Sequence, residues 1–202
     1  MKTRKIFLAG IALLAFLTAG AASAANIVQN GAFETGDLTG WLVFGESGSS
    51  SATVLSGDNG PSAAGTHYAF LDNQAEANGL TLKQSTPVGS AAAGTVNYSF
   101  DLKLDQADVG GVLFVEIFAE QDGVGIVGGS GLMGPLFPWD WTNYSDSFEA
   151  PAGTDFLTIQ FTATTGAATG SNCLVRVDNV VLDQGTTGTK ETSWGGIKAL
   201  YR

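Results

Sequence analysis

The densest group of aromatic side chains in the chain has the composition of a sugar-binding loop. Phe137, Trp139 and Tyr144 lie there beside an aspartate and an asparagine. Aromatic rings stack on the apolar face of a pyranose, while carboxylates and amides hydrogen-bond to its hydroxyl groups. The group follows a glycine-rich stretch, as is typical of a binding loop. We expect Trp141 to pack in the core and Trp139 to be the more exposed of the two.

Polar positions on predicted strands form a second candidate surface. Over residues 95–104 apolar and polar side chains alternate, so one face is buried and the other is wetted. Glu116 interrupts an apolar strand between Phe114 and Phe118. Two interpretations are open: the strand faces a ligand, or Glu116 is a carboxylate on a partly covered sheet. The wetted positions predicted to line one shallow groove are Asn97, Asp101, Glu116, Gln160 and Arg176.

Little in the chain suggests catalysis. His67 is the only histidine and Cys173 the only cysteine, which argues against zinc sites, histidine-based nucleophilic catalysis and an internal disulfide. Asp101 and Glu116 could meet across neighbouring strands as the acid pair of a glycoside hydrolase. Because no recognisable catalytic motif surrounds them, we predict that the protein is not an enzyme and keep hydrolysis as a minor alternative.

The first 24 residues have the pattern of a cleavable signal peptide. Lys2, Arg4 and Lys5 precede an apolar run, and Ala22-Ser23-Ala24 forms a cleavage site. The run is shorter than a bilayer-spanning helix requires, so no membrane span is expected after cleavage. The sequence predicts a secreted protein, extracellular or periplasmic, that could associate with the cell surface.

The charge of the remaining chain excludes some partners. Without residues 1–24 it carries 6 basic against 19 acidic residues, a net charge of about −13. Such a chain repels nucleic acids and anionic membranes, but it is compatible with calcium or a neutral polysaccharide. The sequence does not specify the oligomeric state.

Short apolar runs separated by turn residues predict an all-β fold. Glycine, proline, asparagine and aspartate punctuate the chain, and no convincing helical period occurs within residues 26–185. This pattern favours an antiparallel β-sandwich or a barrel. About ten strands are expected, near residues 26–29, 40–45, 51–55, 66–72, 80–86, 95–104, 112–120, 140–149, 155–163 and 173–182.

Two motifs at the ends of this region resemble one known family. The stretch 30–41 reads NGAFETGDLTGW, and residues 175–182 read VRVDNVVL. Both resemble motifs of the galactose-binding-like jelly rolls, which include carbohydrate-binding modules of bacterial xylanases and glucanases. The resemblance covers about residues 26–184 and implies a β-sandwich jelly roll. We therefore expect a signal peptide at 1–24, a domain at 25–184 and a tail at 185–202.

The same resemblance implies a structural calcium ion. In that family a calcium ion often bridges the acids that match Glu34 and Asp178, helped by backbone carbonyls. Hard oxygen ligands of this kind suit calcium. We expect the 35–37 and 57–59 loops to assist, and the alternative is that the two acids hold no metal.

Two functions remain open from the sequence. The resemblance implies a non-catalytic, lectin-like protein that binds a polysaccharide or glycan. The alternative is an extracellular structural or adhesion protein that uses the same sandwich without binding a specific sugar. The tail begins with a linker and ends in a short predicted amphipathic helix over residues 192–202, which would dock on the domain or serve as a surface tag.

Overall fold

The computed structural model describes residues 26–58, 60–61 and 65–185, which form a sandwich of two antiparallel β-sheets. The predicted all-β sandwich is thus confirmed, and no described residue is helical. The strands are β1 (Leu42–Phe44), β2 (Ser50–Ser56), β3 (His67–Asn73), β4 (Gly79–Ser85), β5 (Gly94–Asp108), β6 (Val112–Gln121), β7 (Gly125–Gly129), β8 (Met133–Leu136), β9 (Thr142–Ala150), β10 (Phe156–Thr164) and β11 (Asn172–Asp183).

The two sheets divide the strands almost equally. The front sheet has the order β1-β4-β10-β6-β7, and β8 also pairs with β6. The back sheet has the order β2-β3-β11-β5-β9. Each sheet has its own outer face, so the polar positions of the predicted strands are distributed over two surfaces.

The core between the sheets is built by strict alternation. On β6, Leu113, Val115 and Ile117 are buried, whereas the residues between them are only partly covered. Aromatic rings fill the centre: Phe100 meets Phe161 edge to face at 5.3 Å between ring centroids. Such packing contributes beyond the burial of apolar area alone.

The opening motif packs against the closing motif. Phe33 is fully buried, and its ring centroid lies 5.4 Å from that of Trp41. The carbonyl of Gly31 accepts a hydrogen bond of 2.9 Å from the Val180 backbone. A Cβ atom at Gly31 would lie 2.1 Å from the Val180 carbonyl oxygen, so the close approach requires glycine.

Three details of the strand prediction were wrong. Residues 26–29 form no strand, because Asn30 turns the chain with φ at 49° and only isolated hydrogen bonds reach β11. The glycine-rich β7 and β8 were missed, since their strands depend on pairing with β6 rather than on local propensity.

The predicted signal peptide and the predicted tail helix lie outside the described residues. Within the described part, no helix is long and apolar enough to cross a membrane.

Candidate functional site

The residues predicted to share one groove lie on two opposite faces. Glu116 and Gln160 project from the front sheet, whereas Asn97, Asp101 and Arg176 belong to the back sheet. Asp101 is fully buried there, so its prediction as a wetted groove position was wrong. Alternation along a strand separates buried from outward positions, but it does not say which sheet a strand joins. The single groove is therefore corrected to two surfaces, and Asp101 and Glu116 do not form an acid pair.

Gln160 lies at the centre of a polar row across the front sheet. Its register partners are Lys83 on β4 and Glu116 on β6, and Lys83 is in turn opposite Leu42 on β1. Directly opposite residues have Cβ atoms about 4.5–5.5 Å apart. The row therefore presents an amine, an amide and a carboxylate side by side. Glu116 and Gln160 lie on one surface, as predicted.

Apolar side chains border this row. A cavity of about 200 Å³ is lined by Phe114, Val115, Glu116, Leu132, Gln160 and Thr162. On the far side, β1 presents Phe44, which is 52% exposed. Large apolar groups with this exposure, interleaved with polar groups, are typical of a ligand-binding surface.

Hydroxyl pairs hold the floor of this face on both sides of the polar row. The Oγ1 atoms of Thr81 and Thr162 lie 3.0 Å apart, and Ser85 Oγ lies 2.7 Å from Thr158 Oγ1. These pairs join β4 to β10 through side chains as well as the backbone ladder. The floor is consequently pre-formed by the fold.

Lys83 differs from the other two basic residues of the described part. Lys103 and Arg176 each lie within 4.0 Å of a carboxylate, whereas Lys83 forms no such ion pair with a described residue. Its ammonium group is therefore available as a hydrogen-bond donor. Sequence reasoning missed Lys83, although its place between Leu82 and Gln84 on a predicted strand was a usable signal.

The outer face of the back sheet is occupied by an ionic network around Asp58. Its Oδ2 atom accepts from Lys103 Nζ at 2.9 Å and from Arg176 Nη1 at 2.6 Å, while its Oδ1 accepts from the Trp141 indole at 3.1 Å. Hydrogen bonds from Lys103 above all, opposed by partial burial, lower the pKa of Asp58. The network ties the loop after β2 onto the sheet.

Aromatic contacts add to this network on the outer face of the back sheet. The Arg176 guanidinium stacks 4.9 Å from the centroid of the Tyr68 ring, and Trp141 meets Tyr68 edge to face. Trp141 is thus partly buried outside the inter-sheet core, and its prediction as a core residue was wrong. Arg176 also bonds Asp105, so its donors serve the fold rather than a free ligand surface.

The aromatic residues predicted to share one binding loop do not all lie on the same surface. Phe137 and Trp139 are 47% and 54% exposed, and they flank Pro138, whose carbonyl accepts from the Leu104 backbone at 2.6 Å. The predicted exposure of Trp139 is confirmed. Tyr144 does not join them: it stacks on Phe100 at 5.7 Å, and burial raises the pKa of its hydroxyl.

Glu34 anchors the loop between β2 and β3. Its Oε1 accepts from the backbone of Thr66 at 2.9 Å and of His67 at 2.8 Å, and its Oε2 lies 3.2 Å from His67 Nδ1. These bonds, led by the His67 backbone, lower the pKa of Glu34 against the opposing effect of burial. The carboxylate therefore carries its charge at neutral pH.

Asp178 and Asp101 form a buried acidic pair below that loop. Asp178 accepts from the backbone of Gly60 at 2.9 Å, and Asp101 accepts from Asn179 Nδ2 at 2.6 Å and from Asn143 Nδ2 at 2.8 Å. Burial above all, with the charges of Asp101 and Glu34, raises the pKa of Asp178 to about 6. The calcium site predicted at Glu34 and Asp178 stays a prediction.

The acids near Asp178 are the candidate ligands for a metal ion. Within residues 26–58, 60–61 and 65–185, no three histidine, cysteine, aspartate or glutamate side chains are arranged to hold a metal ion. The hard carboxylate oxygens are nevertheless of the kind that calcium takes as ligands. Any site here would depend on two carboxylates with backbone carbonyls as further ligands.

Comparison with known proteins identifies the fold. The similar solved structures are mainly carbohydrate-binding modules. A family 61 module in complex with β-1,4-galactotriose has a TM-score of 0.55 and 16% identity, covering 80% of this chain and 99% of that chain. The chain thus has the β-sandwich fold of carbohydrate-binding modules, which confirms the resemblance carried by its end motifs. No protein-family profile and no curated protein sequence matches the chain.

The same fold also occurs in proteins with catalytic activity. The active domain of tailspike protein 4 from bacteriophage CBA120 has a TM-score of 0.64 and 14% identity over 78% of this chain, which spans about 21% of that chain. A cyclase from Fischerella sp. TAU has a TM-score of 0.53 and 18% identity, with 79% and 96% of the two chains covered. These likenesses show the fold, and the function depends on the site.

Proposed function

We propose that the protein is a non-catalytic carbohydrate-binding protein that holds a glycan on the outer face of the front sheet. The observation that carries this proposal is the row Lys83, Gln160 and Glu116, which lies directly beside the row that Phe44 and Phe114 terminate. The carbohydrate-binding modules among the solved structures that share the fold support the choice of ligand.

Each part of the face has a separate role in this proposal. The Phe44 and Phe114 rings contact the apolar faces of sugar rings, because stacking removes apolar area from water. Gln160 both donates to and accepts from sugar hydroxyls, while Lys83 donates and Glu116 accepts. A ligand with alternating hydroxyl and C–H surfaces matches this arrangement better than a purely apolar one.

Affinity electrophoresis on xylan, mixed-linkage β-glucan and β-1,4-galactan tests the proposal. Gln160→Ala should weaken retention on the bound polysaccharide about tenfold, since a hydrogen bond to a polar ligand contributes roughly 1–1.5 kcal/mol. Thr53→Ala, an exposed polar change on the back sheet, is the matched control. No retention on any polysaccharide, or equal retention by Gln160→Ala, would contradict the proposal and favour the structural or adhesion alternative.

Phe137 and Trp139 form a second candidate surface for the same function. Both rings are about half exposed, and the backbone bond from Leu104 to Pro138 fixes the loop that carries them. Trp139→Ala, compared with Gln160→Ala on the same gels, separates the two surfaces. A larger loss for Trp139→Ala would move the principal contact from the front sheet to this loop.

We also propose that calcium stabilises the domain through Glu34 and Asp178. The charges of Glu34 and Asp101 both disfavour ionisation of Asp178, and a bound cation would offset this repulsion. The loop containing Gly60 and Thr66 already contacts both acids, so ordering it by a cation would stabilise the adjoining strands. The ion would have a structural role, away from the front face.

Export is the remaining part of the proposal. Residues 1–24 have the signal-peptide pattern, and the domain they precede contains no second cysteine. Amino-terminal sequencing of the protein from a culture supernatant or periplasmic extract should give a chain beginning at residue 25. An uncleaved amino terminus in the membrane fraction would contradict it.

A further inference from the structure

A polar depression lies on the outer face of the back sheet, beside the end of β11. It encloses about 440 Å³ and is lined by Asn97, Tyr98, Ser99, Ser145, Asp146, Ser147, Val181 and Asp183. By register, Asn97 is opposite both Ser147 and Asp183, while Ser99 is opposite Ser145 and Val181. Three adjacent strands therefore supply one continuous floor.

Several polar side chains of this floor form no hydrogen bond within the described part of the fold, although Asp146 accepts one from the Ser147 backbone at 2.8 Å. The Oδ1 atom of Asp183 is buried, and it is the one such side-chain atom in the described part without a hydrogen-bond partner. The side chains of Asn97, Ser99 and Ser145 form no hydrogen bond with any described residue. The Asp183 residue as a whole is only partly buried, so the depression presents a carboxylate that forms no hydrogen bond with a described residue.

We propose that this depression is a second saccharide-binding site, which binds the hydroxyl edge of a sugar. Asp183 accepts only, and it therefore requires a ligand with O–H or N–H donors. Three serine hydroxyls and the Asn97 amide can each donate or accept, which matches a polyol. No basic side chain lines the depression, so an anionic ligand would find no counter-charge there.

This site differs in chemistry from the front face. The front face has large aromatic rings beside its polar row, whereas the depression combines short polar side chains with the partly covered Tyr98 and Val181. It should bind more weakly than a stacking site, because hydrogen bonds to a sugar replace hydrogen bonds to water. Its location on the opposite sheet makes simultaneous occupation of both faces sterically compatible.

Amide NMR titration of the whole protein with xylohexaose, cellohexaose and β-1,4-galactotriose tests the inference. The protein used carries Gln160→Ala and Glu116→Ala, so that the front face does not contribute. Saturable shifts are expected at the Asn97 side-chain amide and the Ser99 backbone. Ser99→Val, which fills the depression on a central strand, should reduce them at least tenfold, and Thr53→Val is the control. Ser145→Ala on the edge strand is the milder second variant if Ser99→Val unfolds.

The outcomes separate this inference from the proposed function. Shifts at Gln160 in the unmodified protein that are lost in the double variant concern only the front face. Shifts at Asn97 that persist in the double variant and vanish in Ser99→Val support the second site. The inference is overturned if none of the three saccharides shifts Asn97, if Ser99→Val and Ser145→Ala bind unchanged, or if calcium chloride alone gives the same shifts.

Discussion

Asp101 and Asp178 are register partners on adjacent strands, and neither side chain is exposed to solvent. Gly60 closes the site from above: a Cβ atom there would lie 2.5 Å from Asp101 Oδ2. Two carboxylates in so small a dry space repel each other when both are ionised. Burial of this pair therefore couples the charge state of Asp178 to the stability of the fold.

The first prediction concerns pH in the presence of a chelator. The pKa of Asp178 is raised from 3.8 to about 6 in the folded protein, so its contribution to stability is full below pH 3.8 and is lost as the pH rises through about 6. The expected loss from this group is about 3 kcal/mol of unfolding free energy. Urea unfolding at a series of pH values should show it.

Two variants identify the group responsible. Asp178→Asn should flatten the pH dependence between about pH 4 and pH 6, because the titrating group is removed. Asp140→Asn, an exposed acid in a loop, should leave the dependence unchanged. An equal slope in the unmodified protein and Asp178→Asn would assign the dependence to other acids.

The second prediction concerns calcium at neutral pH. Calcium in hundredfold excess over its Kd should raise the unfolding free energy by about 2.7 kcal/mol, since it binds the folded state. Glu34→Gln should abolish most of the shift in Tm between calcium and chelator. Glu149→Gln, an exposed acid on β9, is the control and should keep the full shift. A Tm in the unmodified protein that does not respond to calcium would remove the proposed ion.

The third prediction concerns the junction of the two end motifs. Gly31→Ala should destabilise the domain by about 2–3 kcal/mol, because its Cβ would overlap the backbone carbonyl of Val180. Gly48→Ala is the matched control, since a Cβ there meets nothing within 4 Å. Thermal unfolding of both variants measures the difference. Similar Tm values would mean that residues 26–33 do not pack on β11 in solution.

The fourth prediction concerns the ionic network of the back sheet. Asp58→Ala should lower the stability by about 1 kcal/mol, because the Lys103 and Arg176 charges lose a shared partner that is itself half exposed. The loss should shrink in high salt. Trp141 also loses its hydrogen bond, so the tryptophan emission of the folded protein should shift to the red. Asp72→Ala is the control on the same sheet.

The sequence identified the strands better than their arrangement. Alternation placed Glu116 and Gln160 outward and the apolar residues between them inward, because burial on one face imposes a period of two. The same period could not distinguish the front sheet from the back sheet, which depends on long-range pairing. Asn97 and Gln160 were consequently assigned to one groove although they lie on opposite faces.

The aromatic residues illustrate a second limit. Trp139 and Trp141 are two residues apart in a segment without a regular period. Their exposure depends on distant parts of the chain: Leu104 bonds to Pro138 beside Trp139, and Asp58 bonds to Trp141. The importance of Asp58 was missed for the same reason. An aspartate in a turn has no sequence feature that distinguishes a free carboxylate from one shared by two cations.

The start and the end of the domain meet on β11, and this arrangement allows a change of chain connectivity. The Ile27 backbone donates to the Leu182 carbonyl at 2.9 Å, and the Leu182 backbone donates to Asn26 Oδ1 at 3.1 Å. A short glycine-serine linker could therefore join residue 185 to residue 26 across one strand spacing. New termini could then open at the exposed turn near Gly170, so that a circularly permuted domain could be fused to a partner on the opposite end of the sandwich.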